Sequence, residues 1–135
     1  MSRLQLAGLL AGVAGWLVSI YLTVLHYAGV VPGCPTTGPI NCDAVLSSSF
    51  AVIAGTSIPT SAAGIAWFAI SAGLWLRPVG RVHLAWSAVG LLAVIYLVFI
   101  EIVRIGAICL WCTAAHVLVV VIFLVAVTIW NEEQR

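Results

Sequence analysis

The sequence contains no lysine and a single methionine, and charged residues of either sign make up only 7% of its 135 residues. A net charge of +1 provides no basic surface for nucleic acid. Neither a glycine-rich phosphate loop nor a pair of carboxylates is present, so the motifs of nucleotide binding and of paired acid–base catalysis are missing. These absences exclude a nucleic-acid-binding protein and offer no site for a nucleotide.

Apolar residues are what the chain has in abundance. They account for 64% of the sequence, and the mean hydropathy is +1.23, far outside the range of soluble domains. The composition therefore predicts an integral membrane protein whose first partner is the lipid bilayer. The length allows one compact domain.

Four apolar segments are predicted to cross the bilayer as helices, a passage that takes about 20 residues. They lie at about 4–27, 59–76, 83–105 and 107–130. The predicted fold is thus an all-α integral membrane protein, a bundle of four transmembrane helices within a single domain. Arg3 and the first apolar run resemble a signal peptide, but the run is long and has no clear cleavage site, so we expect it to stay as a span.

The segment at about 28–58, between the first two spans, is rich in turn-forming residues and contains no span. Its second half predicts a short half-helix at the membrane interface, with Asp43 as the N-terminal cap. This segment also holds two of the four cysteines.

The arginines predict the orientation. Four spans place both termini on one side, together with four of the five arginines, and only Arg104 falls on the other side. By the positive-inside rule the arginine-rich side is cytoplasmic. We therefore expect a multi-pass protein of the cell (inner) membrane with cytoplasmic termini and an extracytoplasmic loop, on the side that carries all four cysteines.

The four cysteines form two pairs. Cys109 and Cys112 are a C-x-x-C at the start of the last span, where the partial positive charge of a helix N-terminus favours the thiolate. Cys34 and Cys42 lie on the loop, and we expect them to be exposed and mobile. Because thiolates exchange with disulfides through a mixed disulfide, this pattern predicts a relay from a mobile pair to a fixed one.

Net oxidation by such a relay needs an electron acceptor at the fixed pair. A quinone dissolved in the bilayer is the acceptor that we expect, entering between helices near Cys112. Two alternatives stay open for the cysteines: structural disulfides that only brace the loop of a non-enzymatic membrane protein, and a four-cysteine zinc site.

The cysteine pattern resembles that of the bacterial vitamin K epoxide reductase homologues. The resemblance rests on Cys34 and Cys42 with seven residues between them, on Ser48 six residues later, and on the Cys109–Cys112 motif that opens the last span. It covers nearly the whole chain, and the combination of spacings is far more specific than a lone C-x-x-C.

This resemblance implies an enzyme that generates disulfides, a four-helix bundle around a quinone of the menaquinone, ubiquinone or phylloquinone type. Cys34 would exchange with a thioredoxin-like protein outside the cytoplasm, Cys42 would pass electrons to Cys109, and Cys112 would lie beside the quinone. Ser48 would lie near the quinone head group. Many relatives carry a fused thioredoxin-like domain; this chain has none, so the expected partner is a separate, DsbA-like oxidase.

Three further residues are candidates for the quinone site. His116 stands where vertebrate relatives have a tyrosine, and Thr60 lies near the position of their asparagine. These departures argue against epoxide reduction and sensitivity to anticoagulants. His116 either contacts the quinone or relays protons, or it is a neutral histidine bonded to a neighbouring helix. Trp111, between the helix cysteines, either walls the redox site or packs against lipid or protein.

A different family of quinone-linked disulfide oxidases, the DsbB type, is the first rival. In that family the C-x-x-C pair comes before the spaced pair, and here the order is reversed. A final expectation concerns Glu101 and Arg104, three residues apart near the outer end of the third span. We expect the two to pair at the interface, because an unpaired arginine in hydrocarbon costs about 3 kcal/mol; the alternative is that they shape the entrance for the partner or the quinone.

Overall fold

The structure is a computed structural model that describes residues 1–34 and 38–135. It is all-helical, with 75% of residues in helices and no strand in the described ranges. A 3₁₀ turn and a π-helical segment accompany the α-helices. The elements, in chain order, are α1 (Arg3–Ala28), α2 (Cys42–Leu46), the 3₁₀ turn (Ser49–Ala51), α3 (Thr60–Leu74), α4 (Arg81–Phe99), the π-helical segment (Ile100–Ile105) and α5 (Leu110–Gln134).

Three of the helices are long and apolar enough to cross a membrane. They are Arg3–Ala28, Arg81–Ile105 and Leu110–Gln134, with mean hydropathies from 1.9 to 2.7. The fourth long helix, α3, is apolar but has only 15 residues, fewer than the about 20 that a typical span uses. The protein is thus a helical membrane protein, and the count of four spans stays a prediction.

Small residues let the helices approach closely. A Cβ added at Gly15 of α1 would overlap the ring of Phe68 on α3, and one at Gly8 would overlap the indole of Trp75. Phe68 and Trp75 are buried in the main hydrophobic core, which joins α1, α3, α4 and α5. Glycine on α1 is therefore what permits the bulky side chains of α3 to fill the core.

One end of the bundle is closed by hydrogen bonds. The Gln5 side chain donates to the carbonyl oxygens of Trp75 at 2.9 Å and of Arg77 at 3.0 Å, which ties the start of α1 to the turn after α3. Next to this turn the buried His83 ring, at the start of α4, donates to the carbonyl oxygen of Leu74 at the end of α3 at 2.8 Å. We call this the arginine end, because Arg3, Arg77 and Arg81 lie on it or beside it.

The opposite end brings the loop against the start of α5. Ile40 and Ile108 form an isolated parallel bridge, in which Ile108 donates to Pro39 at 2.8 Å and Asn41 donates to Ile108 at 2.9 Å. The short helix α2 begins directly after the bridge. We call this the cysteine end.

The cap of α2 corrects one expectation. The residue that caps the helix is Asn41, whose side chain accepts from the Ala44 N–H at 3.0 Å, while Asp43 lies in the first turn. Asn41 takes this role because it holds the extended backbone conformation that an N-cap requires. The short helix exists, and its position at a membrane interface stays a prediction.

The expected pairing of Glu101 with Arg104 is wrong. Glu101 is buried, Arg104 is exposed, and no ion pair joins them in the described structure. Both lie in the π-helical segment, where Gly106 donates to the Glu101 carbonyl at 2.8 Å across five residues. A π-helix winds more residues into each turn than an α-helix, so positions three apart no longer share a face.

Candidate redox site

The two cysteine pairs meet at the cysteine end. Cys42 and Cys109 are both fully buried, with 0% of their surface exposed, in one cluster with Val45 and Ala107. The bridge between Ile40 and Ile108 explains this meeting, because Cys42 follows the bridge by two residues and Cys109 follows it by one. Cys34 and Cys112 pack against the same cluster. The tertiary structure thus brings the four cysteines together, although Cys42 and Cys109 are 67 positions apart in the sequence (109 − 42).

The loop pair is joined. Cys34 and Cys42 form a disulfide with their Cα atoms 6.2 Å apart. The expectation of an exposed pair is right only for Cys34, which is partly exposed, and is wrong for Cys42, which begins α2 and is buried beneath the loop. An attacking thiol from outside can therefore reach the loop disulfide through Cys34.

The helix pair is a pair of thiols at the N-terminus of α5. Cys109 is the N-cap residue, and its sulfur accepts a hydrogen bond from the Cys112 N–H at 3.3 Å. A hydrogen bond from the Cys112 side chain is the largest effect that lowers the pKa of the Cys109 thiol, and the Cys112 N–H adds to it, against the opposing effects of burial and of the Glu101 charge. Cys109 is thus suited to act as a thiolate, as the position at a helix start predicts.

A cavity of about 490 Å³ opens beside the helix pair and is lined by Cys112. Its wall consists mostly of apolar side chains from all four long helices and from the segment around α2. Three of the four residues predicted to bind the quinone line it: Ser48, Thr60 and His116. An apolar cavity with few polar groups, next to a thiol, suits a flat lipid-soluble acceptor.

The polar side chains that line the cavity differ in whether their hydrogen-bond donors already have acceptors within the protein. The Ser48 hydroxyl already donates to the Val45 carbonyl at 2.7 Å, and the Thr60 hydroxyl makes a long bond of 3.4 Å to Phe50. His116 has no hydrogen bond among the described residues. The Trp67 indole nitrogen is buried and, within the described ranges, has no partner. A buried donor without an acceptor is costly.

Trp111 lies apart from this cavity. It is absent from the cavity wall that the described residues form, and its ring instead contacts Tyr21 of α1 at a centroid distance of 4.9 Å. It also packs against the buried cluster of Cys42 and Cys109. Trp111 is thus packed against protein in this structure, and its role as a wall of the redox site stays a prediction.

Sequence reasoning missed two residues of the site. Tryptophans near the ends of spans usually anchor a protein at the membrane interface, but Trp67 lines the cavity in the middle of α3. Glu101 was assigned to a surface pair, yet it is buried beside Cys109 and lines the cavity. An acidic residue in an otherwise apolar span was the available signal for Glu101.

The zinc alternative finds no support in the described residues, where no three potential ligands from histidine, cysteine, aspartate and glutamate cluster around a common point. Two of the four cysteines are already joined to each other. The site thus contains one disulfide and one pair of thiols, the two forms that thiol–disulfide exchange interconverts.

Comparison with known proteins agrees with this geometry. No curated protein matches the chain. The family model of the vitamin K epoxide reductase family matches residues 6–127, a range that contains all four cysteines and every long helix in whole or in large part. The family and the helices together identify a membrane oxidoreductase that generates disulfides. The chain belongs to the vitamin K epoxide reductase family.

Proposed function

We propose that this protein is a thiol:quinone oxidoreductase that reoxidises a separate thioredoxin-like protein outside the cytoplasm. One observation carries the proposal: a partly exposed cysteine, two buried cysteines and a cysteine at a cavity wall form one continuous cluster. The order matches the path that electrons must take from a soluble partner to a lipid-soluble acceptor.

The path begins at the loop disulfide. A thiolate of the partner attacks the sulfur of Cys34, and the second thiol of the partner resolves the mixed disulfide, so the partner leaves with a disulfide and the loop pair becomes two thiols. Cys42 then attacks the sulfur of Cys109 in a Cys109–Cys112 disulfide. Cys34 resolves this mixed disulfide, which restores the loop disulfide and leaves two thiols at the start of α5. Burial of Cys42 against Cys109 favours this exchange over attack by other thiols.

A quinone fits the residues of the cavity. Its ring suits the apolar wall, and its two carbonyl oxygens would accept from Trp67, His116 or Thr60. When bound, the quinone supplies a two-electron acceptor for the dithiol. Cys112 lines the cavity, so its thiol would be the one next to the acceptor. Ser48 lines the cavity as well, and its hydroxyl also donates to the Val45 carbonyl.

Charge distribution supports the orientation. Arg3, Arg77 and Arg81 are at the end of the bundle opposite the cysteines, and Arg135 follows the far end of α5. By the positive-inside rule the arginine end faces the cytoplasm and the cysteine end faces outward. A four-span arrangement with cytoplasmic termini follows, in which α3 crosses as the short fourth span.

The decisive experiment is anaerobic quinone reduction by the purified protein in detergent, with a reduced thioredoxin-like protein as donor. We expect the native chain to bleach the quinone absorbance and Cys112→Ala to lose at least ~10³-fold of the rate, because the terminal thiol is gone. Thr128→Val is a matched control on the exposed face of α5, since the Thr128 hydroxyl bonds only the Leu124 carbonyl at 2.8 Å.

The two alternative hypotheses, structural disulfides and a DsbB-type enzyme, can be compared with this proposal. If the cysteines only brace the loop, Cys112→Ala changes stability at most, and the native chain reduces no quinone with any of several partners. A DsbB-type enzyme would share the activity, but the order of the two pairs along this chain and the family match both argue against it.

A further inference from the structure

Of the four acidic side chains, Glu101 is the one that is buried in the structure. It is 6% exposed, whereas Asp43, Glu132 and Glu133 are all exposed. Within residues 1–34 and 38–135 it forms no ion pair, and the nearest cation along the chain, Arg104, is exposed. Burial of a carboxyl group without a cation is costly, and such groups within membrane-spanning helices commonly serve transport or catalysis.

The Glu101 carboxyl group is placed beside the helix pair. Its Oε2 atom accepts a hydrogen bond from the Cys109 N–H at 3.4 Å. The charge of the same carboxyl group acts on the thiols of both Cys109 and Cys112. The protonation of Glu101 and the protonation of the two thiols are therefore coupled: a change of charge on either one alters the proton affinity of the other.

Two cavities meet at Glu101. It lines the cavity of about 490 Å³ that Cys112 and Trp67 also line, and it lines a second cavity of about 370 Å³ between α4 and α5. His116 lines both cavities as well. A group at the boundary between the thiols and both cavities can take up a proton on one side and release it on the other.

The π-helical segment is what directs Glu101 inward. Its carbonyl oxygen accepts from both Gly106 at 2.8 Å and Ala107 at 3.1 Å, which closes the widened turn. Gly106 adopts a left-handed conformation with φ of 74°, which suits glycine, and the chain then turns to present Cys109. Single π turns inside longer helices occur often at functional sites.

The chemistry of the redox pair requires a proton carrier. When the dithiol closes to a disulfide, two S–H bonds break and one S–S bond forms, and two electrons and two protons leave. A quinone bound in the cavity would supply an acceptor for both electrons and both protons. Among the described residues Cys112 lines the cavity and Cys109 does not, so a proton that leaves the pair at Cys109 needs a path to the cavity.

We propose that Glu101 is the group that accepts a proton from the Cys109–Cys112 pair as the disulfide closes and releases it into the quinone cavity. The proposal rests on the function proposed above. The other titratable groups that face this region are Cys109, Cys112 and His116 of α5 and Asp43 of α2, while Arg104 belongs to the same segment as Glu101. His116 is the neighbour able to extend the path, because it borders both cavities.

Glu101→Gln tests the proposal. Glutamine keeps the size of the side chain and an oxygen that accepts from the Cys109 N–H, but it does not carry a proton. We expect kcat for quinone reduction to fall about 10²-fold, the range for loss of a general acid–base group, with an unchanged KM for the quinone. Glu101→Asp retains a carboxyl group and should recover part of the rate. Glu132→Gln, an exposed neutralisation near the other end of α5, is the matched control.

A pH profile and a quinone-free measurement separate proton transfer from a structural role. The pH dependence of kcat should lose one ionisation in Glu101→Gln and keep it in Glu132→Gln. In the protein without quinone, the thiols of Glu101→Gln should react several-fold faster with iodoacetamide at a given pH, because removal of a negative neighbour favours the thiolate.

Three results would overturn the proposal. They are a kcat and pH profile of Glu101→Gln equal to those of the control, a rise in KM alone, or alkylation rates equal to native at every pH. If Glu101→Gln does not fold, Glu101→Asp decides: a kcat that keeps at least a tenth of the native value, with the ionisation still present in the pH profile, supports the proposal, and a larger loss of kcat contradicts it. If the native chain itself reduces no quinone, the proposed function fails first, and the alkylation rates then show separately whether Glu101 acts on the thiols.

Discussion

The two ends of the bundle differ in whether their polar groups have partners. At the arginine end polar groups are satisfied: the Gln5 amide bonds two carbonyls, His83 bonds a third, and the Trp86 indole donates to Ser71 at 2.9 Å. At the cysteine end a carboxyl group is buried with no cation beside it among the described residues, and a helix is widened by a π turn. In the wall of the cavity the Trp67 indole N–H has no acceptor within residues 1–34 and 38–135.

This difference indicates that stability and catalysis depend on different regions of the molecule. A protein that only needed to fold would gain by pairing or removing the buried polar groups, since each unsatisfied group costs about 1–3 kcal/mol. Their retention near one cavity and one cysteine pair supports the proposal that this region binds the quinone and transfers protons. Changes at the cysteine end should act on turnover, and changes in the packed core should act on stability.

The largest effect is expected at Cys109. Cys109→Ser should reduce electron transfer from the loop pair to quinone by ~10³-fold or more, because the hydroxyl cannot form the mixed disulfide with Cys42. The fold should persist, since serine is close in size and can also cap α5. Stopped-flow reduction of quinone by the donor protein measures the rate, and circular dichroism checks the helices. A variant that retains even a tenth of native turnover would contradict the relay.

A packing change at the α1–α3 contact should do the reverse. Gly15→Ala places a Cβ against the Phe68 ring and should lower the free energy of unfolding by about 1–3 kcal/mol, the usual cost of overpacking, with turnover per folded molecule unchanged. Gly73→Ala is the control: no atom lies within 4 Å of its added Cβ, so it should be neutral or stabilising. Thermal unfolding in detergent compares the two. Equal melting temperatures would show that the contact is not tight.

The pH response of Cys109 depends on its neighbour. A hydrogen bond from the Cys112 side chain lowers the pKa of Cys109, so the thiolate is populated at a lower pH than in a free cysteine. In Cys112→Ala the thiol contact is lost, the Cys109 pKa rises, and the thiolate fraction below pH ~9 falls several-fold. Ultraviolet absorbance of the thiolate, titrated in a background that lacks Cys34 and Cys42, follows this change. A midpoint that does not move, or that moves to lower pH, would contradict the assigned cause.

The smallest effect is expected at Trp67. Trp67→Phe keeps an aromatic ring in the cavity wall but removes the N–H donor, so the quinone KM should rise about 5-fold, the equivalent of one hydrogen bond of about 1 kcal/mol. Tryptophan fluorescence quenching by quinone gives the binding constant without turnover. Trp16→Phe, at a site 38% exposed on α1, is the control and should leave both quantities unchanged. Unchanged affinity in Trp67→Phe would mean that this donor does not contact the ligand.

Much of the architecture could be predicted because apolar periodicity and length report directly on helices in a membrane. The helices begin and end near the expected positions, and the C-x-x-C motif lies at the start of α5 as its spacing suggests. Two predictions were wrong because the folded structure places these residues differently from what their local sequence suggests. Asp43 was taken as the cap that Asn41 provides, and Glu101 was paired with Arg104 on the assumption of α-helical geometry.

The sequence alone determined that the chain is a helical membrane protein of the vitamin K epoxide reductase family with two cysteine pairs, because composition and spacing are local properties. Only the tertiary structure decided which groups meet. A single bridge between Ile40 and Ile108 brings Cys42 to Cys109, a π turn directs Glu101 to the same place, and close helix packing leaves Trp67 at the cavity wall. These contacts join residues far apart in the chain, and the free energy that selects them comes from packing the whole bundle, which no short pattern encodes.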